Sequence, residues 1–221
     1  KSYYKKKSLI IDGLNITKFI QAKENLNLKN NILTSDIVHI DGIGISIGIF
    51  LEKRIFYQRI AGIDLMQYLC SYCSKNNLGI FLLGASEEIN LLTKQKLNEK
   101  YGNIVKGSKN GYFELDNNNL QSLIKEINYS DAKIVFIGIS SPIRDKIAYY
   151  LKKNSKKSII IVGVGGSFDV ISGQIKRAPL FLQRIGLEWF WRAINEPKRL
   201  MWNYFKNIFK YVLIIISKKI L

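Results

Sequence analysis

A Rossmann-like α/β domain, with a parallel sheet covered by helices on both faces, is the fold that this 221-residue sequence predicts. Three observations predict it. Short β-branched runs recur as far as Val164. They are apolar at successive positions rather than at alternate ones, as strands buried on both faces are. Stretches with apolar residues three and four apart separate them, and such alternation of strand and helix builds a parallel sheet.

In chain order, Leu9–Asp12 (LIID) and Ile37–Ile40 (IVHI) read as strands. A helix follows over Ile63–Lys75, then a strand over Gly79–Leu83 (GIFLL). Helices over Glu87–Lys100 and Asn119–Ile127 precede a strand at Ile134–Ile139 (IVFIGI). The next helix spans Pro142–Lys153, with its proline at the first helical position, where the missing N–H costs nothing. Ile159–Val164 (IIIVGV) is the last strand. No internal repeat or low-complexity linker interrupts the chain. The character changes near Lys176, which divides the chain into a core (1–176) and an appendage (177–221). The appendage holds all three tryptophans, and its nine cations against two anions give it +7.

An apolar content of 47% supports a packed core and argues against global disorder. The net charge of +17 points to an anionic partner, although the chain is rich in Lys, Asn and Ile throughout. Cys70 and Cys73 have the C-x-x-C spacing of a redox pair or half a metal site. No second pair accompanies them, the single histidine, His39, is far away in sequence, and IDLMQYLCSYCSKNN reads as a helix, so they are expected to be ordinary core thiols of a reducing cytosol. The basic opening KSYYKKK is followed by no long apolar run, as a signal peptide would require. The longest apolar run, Tyr211–Ile216, falls short of the roughly 18 to 20 residues that span a bilayer. The expectation is a cytoplasmic protein. A basic, aromatic and amphipathic tail suits an anionic membrane surface; an ordinary packed helix pair and a nucleic-acid surface are the other readings.

Several strand–helix junctions carry residues suited to chemistry. In IDGIGIS, Asp41 directly follows the run IVHI, at the strand end where open α/β sheets bind ligands. A carboxylate there suits a general base, a metal ligand or a ribose-binding group, and equally a helix N-cap. Gly42 and Gly44 allow close approach of the backbone. In QRIAGIDLMQYL, Arg59 is a clamp for an anionic oxygen and Asp64 a cap for the next helix. LLGAS places Gly84 at a strand end, as an anion or sugar site or as packing. ISSPIRDK places Arg144 and Asp145 on a first helical turn. VGVGGSFDVISGQIKRAP lacks the lysine of a phosphate-binding loop, and its glycines fit G-x-G-x-x-G poorly. Gly163, Gly165 and Gly166 still form a turn with exposed N–H groups, and Asp169 is within reach of a ribose hydroxyl or a base.

Five stretches in one order, DGIGI, RIAGIDLM, FLLGAS, VGVGGSFDVISGQIKRAP and GLEWFWRAINEPKR, resemble the bacterial WecG/TagA/CpsF glycosyltransferase family. The match runs from about Leu9 to Arg199, and its last two stretches are long and specific. The resemblance implies transfer of a sugar, often N-acetylmannosamine or its uronic acid, from a UDP-sugar to an undecaprenyl-diphosphate-linked sugar for teichoic acid, common antigen or capsule. It implies a Rossmann-like core, a C-terminal appendage docked on the cytoplasmic face of the membrane, and self-association through the core. Neither a metal nor another cofactor is implied, and nucleic acid is not among the partners.

By the same resemblance Asp41 is the catalytic base, Arg59 a pocket arginine, and Asn15 an asparagine on the first strand–helix turn. The turn GVGGSFD, with Phe168 and Asp169, holds the UDP, and Arg192 and Arg199 reach the diphosphate. Two positions depart from the pattern. The usual threonine two residues before the asparagine is Gly13, and the usual P-x-Q-E motif has Arg144 and Asp145 in its last two places. Arg144 is suited to an anionic group on the donor or acceptor, or marks altered activity. The rival reading is a non-catalytic module that binds a nucleotide sugar or nucleic acid.

Overall fold

A computed structural model describes residues 8–217, apart from the side chain of Arg199, so KSYYKKK lies outside the described residues. The chain runs β1 (Leu9–Leu14), α1 (Ile16–Glu24), α2 (Leu26–Leu33), β2 (Ile37–Ile40), α3 (Ile43–Lys53), α4 (Gly62–Lys75) and β3 (Gly79–Gly84). It continues through α5 (Glu87–Tyr101), β4 (Val105–Lys109), α6 (Asn117–Tyr129), β5 (Ala132–Gly138), α7 (Ile143–Asn154) and β6 (Ile160–Gly163). The remainder is helical: α8 (Ser167–Ser172), α9 (Leu180–Arg184), α10 (Glu188–Asn195), a π-helical stretch at Pro197–Met201, and α11 (Trp202–Ile216). The six strands form a parallel sheet in the order β2-β1-β6-β5-β3-β4.

The α/β class and the five expected strands are present. The sixth, β4, has the sequence VKGSK and pairs only with β3, at the sheet's edge. An edge strand needs no continuous apolar run, so periodicity does not reveal it. Pro142 occupies the cap position of α7 rather than its first turn. The run Tyr211–Ile216 is the end of α11. No described helix is long and apolar enough to cross a membrane.

The chain divides into two compact units. The first holds residues 8–12, Asn31–Ile37 and Gly62–Ile175. Here the alternation of side chains along β3 makes two cores. Phe81 and Leu83 join Leu123 and Ile127 of α6 and Ile147 and Leu151 of α7 on one face. Ile80 and Leu82 join Met66 of α4, Leu97 of α5 and Phe168 of α8 on the other. Burial on both faces is why these strands read as unbroken apolar runs.

Cys70 and Cys73 belong to the second of these cores. Both are free thiols with no exposed surface. Burial pushes Cys70 up to about 12 and Cys73 to about 11, so neither forms the reactive thiolate near neutral pH. Ellman's reagent is therefore expected to label neither thiol in the folded protein and both in denaturant. Fast labelling at pH 8 without denaturant would show that they are accessible. Because the folded state holds protons that the unfolded chain releases above about pH 8.5, their contribution to stability is complete below that pH. It is lost as pH rises towards about 11.

The second unit holds Gly13–Asn30, Val38–Ala61 and residues 176–217. Its core is Ile20 of α1, Ile45 of α3 and Tyr211 of α11. Phe19 meets Tyr211 edge to face at 5.4 Å between centroids. A β-carbon on Gly48 would stand 2.0 Å from the Tyr211 hydroxyl, so any side chain at residue 48 would force Tyr211 out of its present seat on α3. Lys210 pairs with Glu24, which ties α11 to α1 as well.

Candidate functional site

In the second unit the site begins where β2 ends. Asp41 follows the strand, and its N–H donates to the Leu14 carbonyl at 2.9 Å. The cap position of α3 belongs to Gly42, so Asp41 is not the N-cap residue. Asn15 is the cap of α1: its Oδ1 accepts from the Lys18 N–H at 3.0 Å. That bond commits the amide oxygen and turns Nδ2 to Asp41, 3.4 Å from Oδ2. Sequence position thus brings Asn15 and Asp41 together through two adjacent strand ends. Gly42 and Gly44 serve this meeting. A β-carbon at Gly42 would come within 3.1 Å of the Asn15 Cβ, and one at Gly44 within 2.3 Å of the Ile16 side chain. What these two glycines admit is the start of α1.

Arg59 lies in the irregular segment after α3, with its side chain largely covered. It donates to the Glu188 carboxylate at 2.6 Å and to the Gln183 carbonyl at 3.2 Å. The other carboxylate oxygen of Glu188 faces Arg177 at 3.3 Å. Glu188, the first residue of α10, therefore holds two guanidinium groups, a role that the stretch GLEWFW does not announce locally. Arg192 is half-buried on α10. Arg199 falls in the π-helical stretch, and its side chain lies outside the described residues.

In the first unit Gly84 ends β3 with φ of +135°, and a β-carbon there would lie 2.6 Å from the Gly138 backbone. Its carbonyl accepts from Asn90 Nδ2 at 2.8 Å, and Ser86 caps α5. This junction is tied up in packing and capping. Asp64 sits exposed in the first turn of α4, inside the helix rather than at its cap.

The turn after β6 has two sides. Gly163 lies under the Arg144 guanidinium, which a β-carbon would approach to 2.8 Å. Gly165 has φ of +51° and nothing within 4 Å of its β-carbon position, so its backbone borders open space. Gly166 caps α8, Asp169 is half-buried in its first turn, and Phe168 is completely buried beneath it. Arg144 donates to Asp12 Oδ1 at 3.0 Å and to Ser141 Oγ at 3.4 Å. Asp145 lies 3.7 Å from the same guanidinium and accepts the Ser141 hydroxyl. All three charged side chains are nearly inaccessible. In the sequence Asp12 is only the end of the strand run LIID, and the one local signal of its role is a carboxylate closing an apolar run.

Carboxylates, arginines and glycine turns at the ends of parallel strands are the residue types with which α/β proteins of this class bind ligands. The family model of the glycosyl transferase WecG/TagA/CpsF family matches residues 2–221. The chain belongs to that glycosyltransferase family, and the resemblance read in its five motifs is established.

Proposed function

We propose that the protein transfers a sugar of the N-acetylmannosamine type from a UDP-sugar to a polyprenyl-diphosphate-linked sugar, as a step in building a cell-surface polymer such as teichoic acid or capsule. The observation that carries this reading is the pair Asp41 and Asn15 in a chain of this family. A carboxylate whose backbone is tied to Leu14 and whose oxygen faces an amide of fixed direction is suited to act as a base.

In this mechanism Asp41 takes the proton of the acceptor hydroxyl. The oxygen forms a bond to the anomeric carbon, and the bond from that carbon to the UDP oxygen breaks, with its electron pair leaving on UDP. No metal is assigned; cationic and N–H groups offset the growing charge. Arg192 and Arg199 are the cations proposed for the diphosphate; Arg59, whose charge Glu188 already meets, is proposed as a pocket arginine. The turn Gly163–Asp169 is the segment proposed to hold UDP, and Gly165 supports this because its backbone borders open space. Arg144 is less suited to an anionic sugar than its sequence suggests, because Asp12 already meets its charge. Turnover assayed as UDP release from a panel of UDP-sugars, with a synthetic polyprenyl-diphosphate acceptor, tests the reading. Absence of release from every donor would count against it.

The same reading places the protein peripherally on the cytoplasmic face of the membrane. Its support is α11, where Trp202, Phe205, Phe209, Leu213 and Ile216 form an exposed apolar stripe at helical spacing, near Lys206 and Lys210. Replacing Phe205 and Phe209 together by Asp is expected to weaken binding to anionic vesicles roughly tenfold or more, from two lost apolar anchors. Co-sedimentation measures this, and unchanged binding would remove α11 from the contact. Self-association through the core belongs to the same proposal, and sedimentation velocity tests it.

A further inference from the structure

Glu188 opens α10, and the chemistry above gives it no part. Its placement begins with the turn before it. Gly186 has φ of +77°, a conformation that favours glycine, and a β-carbon there would lie 2.6 Å from the Ile43 Cβ. Backbone and space both exclude a side chain, and the turn between α9 and α10 rests on the first residue of α3, two positions after Asp41. The Leu187 N–H donates to the Leu182 carbonyl at 2.8 Å, and Trp191 Nε1 donates to the Lys176 carbonyl at 3.0 Å. These bonds fix the start of α10 against α9 and the segment before it.

Arg59 reaches Glu188 along a second route. The Ile60 N–H donates to the Ile40 carbonyl at 2.8 Å, one residue after Arg59 and one before Asp41. The backbone of Arg59 is thereby tied to the strand that leads into the proposed base, but its long side chain has rotamer freedom that something must remove. Glu188 removes it. Arg59 Nη2 donates to Glu188 Oε2 at 2.6 Å and to the Gln183 carbonyl at 3.2 Å. The two side chains are only 14% and 15% exposed, where a charge pair is little screened. Both bonds leave from one nitrogen, so the rest of the guanidinium keeps a set direction. Arg177, 3.3 Å from Oε1, holds the carboxylate from its other side.

We propose that Glu188 is a positioning residue for Arg59: its carboxylate, with the Gln183 carbonyl, fixes Nη2 and so sets the direction in which Nη1 and Nε present their N–H groups to the ligand. The appendage then supplies a carboxylate to the site as well as cations. A group held by its surroundings before the ligand arrives loses less freedom on binding. The proposal rests on reading Arg59 as a pocket residue of a glycosyltransferase.

In the turnover assay Glu188→Ala is expected to lower kcat/KM about 10- to 10²-fold, as for a misoriented site group. Arg59→Met should cost at least as much. The double variant should be no worse than Arg59→Met by more than about twofold, because nothing is then left to orient. Losses that multiply would show that Glu188 acts apart from Arg59 and would overturn the proposal, as would wild-type kcat/KM in Glu188→Ala. A rise in turnover would overturn it too, and would make the carboxylate a brake on the arginine. If the Ala variant does not fold, Glu188→Gln, of the same size, carries the same cycle. The full-length protein labelled with 15N-arginine supplies a second readout. The Arg59 Nε–H signal, assigned by its loss in Arg59→Met, is expected to shift in Glu188→Gln, and an unmoved signal would refute the contact. If the wild type releases UDP from no donor, the glycosyl-transfer reading falls, while the Nε–H comparison still decides whether Glu188 holds Arg59.

Discussion

Asp41→Asn is expected to lower turnover by roughly 10²- to 10⁴-fold, the contribution typical of a positioned general base. The amide keeps the size of the side chain and a carbonyl oxygen for Asn15 Nδ2, and the backbone bond to Leu14 is untouched. Only the capacity to accept the acceptor's proton is lost. UDP affinity, measured by calorimetry, should stay within about twofold, because a group acting only in the transition state leaves ground-state binding alone. Near-normal UDP release by the variant would show that another group is the base.

The second large effect is on stability. Arg144→Met is expected to cost about 3–5 kcal/mol, the usual result of removing one partner from a buried ion pair. Asp12, with a side chain only 6% exposed, would lose the guanidinium that it accepts from, and Asp145, at 5%, would lose its nearby guanidinium. For a chain of this size the loss corresponds to on the order of 10 °C in Tm. The double variant Asp12→Asn, Arg144→Met should recover much of it, because the buried charge at residue 12 is removed together with the guanidinium that faced it; the interaction energy of the cycle measures the pair. If Arg144→Met melts like the wild type, the guanidinium is not carrying the network. Donor affinity in the same variant then asks whether Arg144 also meets the substrate.

The legible parts of the fold were those with a one-dimensional signature. GIFLL and IVFIGI read as strands because α4 to α8 cover both of their faces. VKGSK did not, because an edge strand carries no such run. The grouping of α1 and α3 with α11 depends on Tyr211 seating against Gly48, a contact between residues far apart in sequence that no local pattern encodes. Asp41 was legible as a strand-end carboxylate, and the structure separates it from the cap position. The partners of the arginines were not. Arg144 is matched by Asp12, and Arg59 by Glu188, each more than a hundred residues away. Sequence spacing shows that a cation is present and says nothing of whether its charge is already met.

Mass spectrometry of the lipid acceptor tests the central claim most directly. The full-length protein would be incubated with a UDP-sugar panel and a short polyprenyl-diphosphate-linked N-acetylhexosamine in anionic vesicles. The account predicts that the acceptor gains one sugar for each UDP released, and that Asp41→Asn abolishes both signals. An acceptor of unchanged mass, with UDP-sugars bound but intact, would contradict it and leave a nucleotide-sugar-binding module in its place.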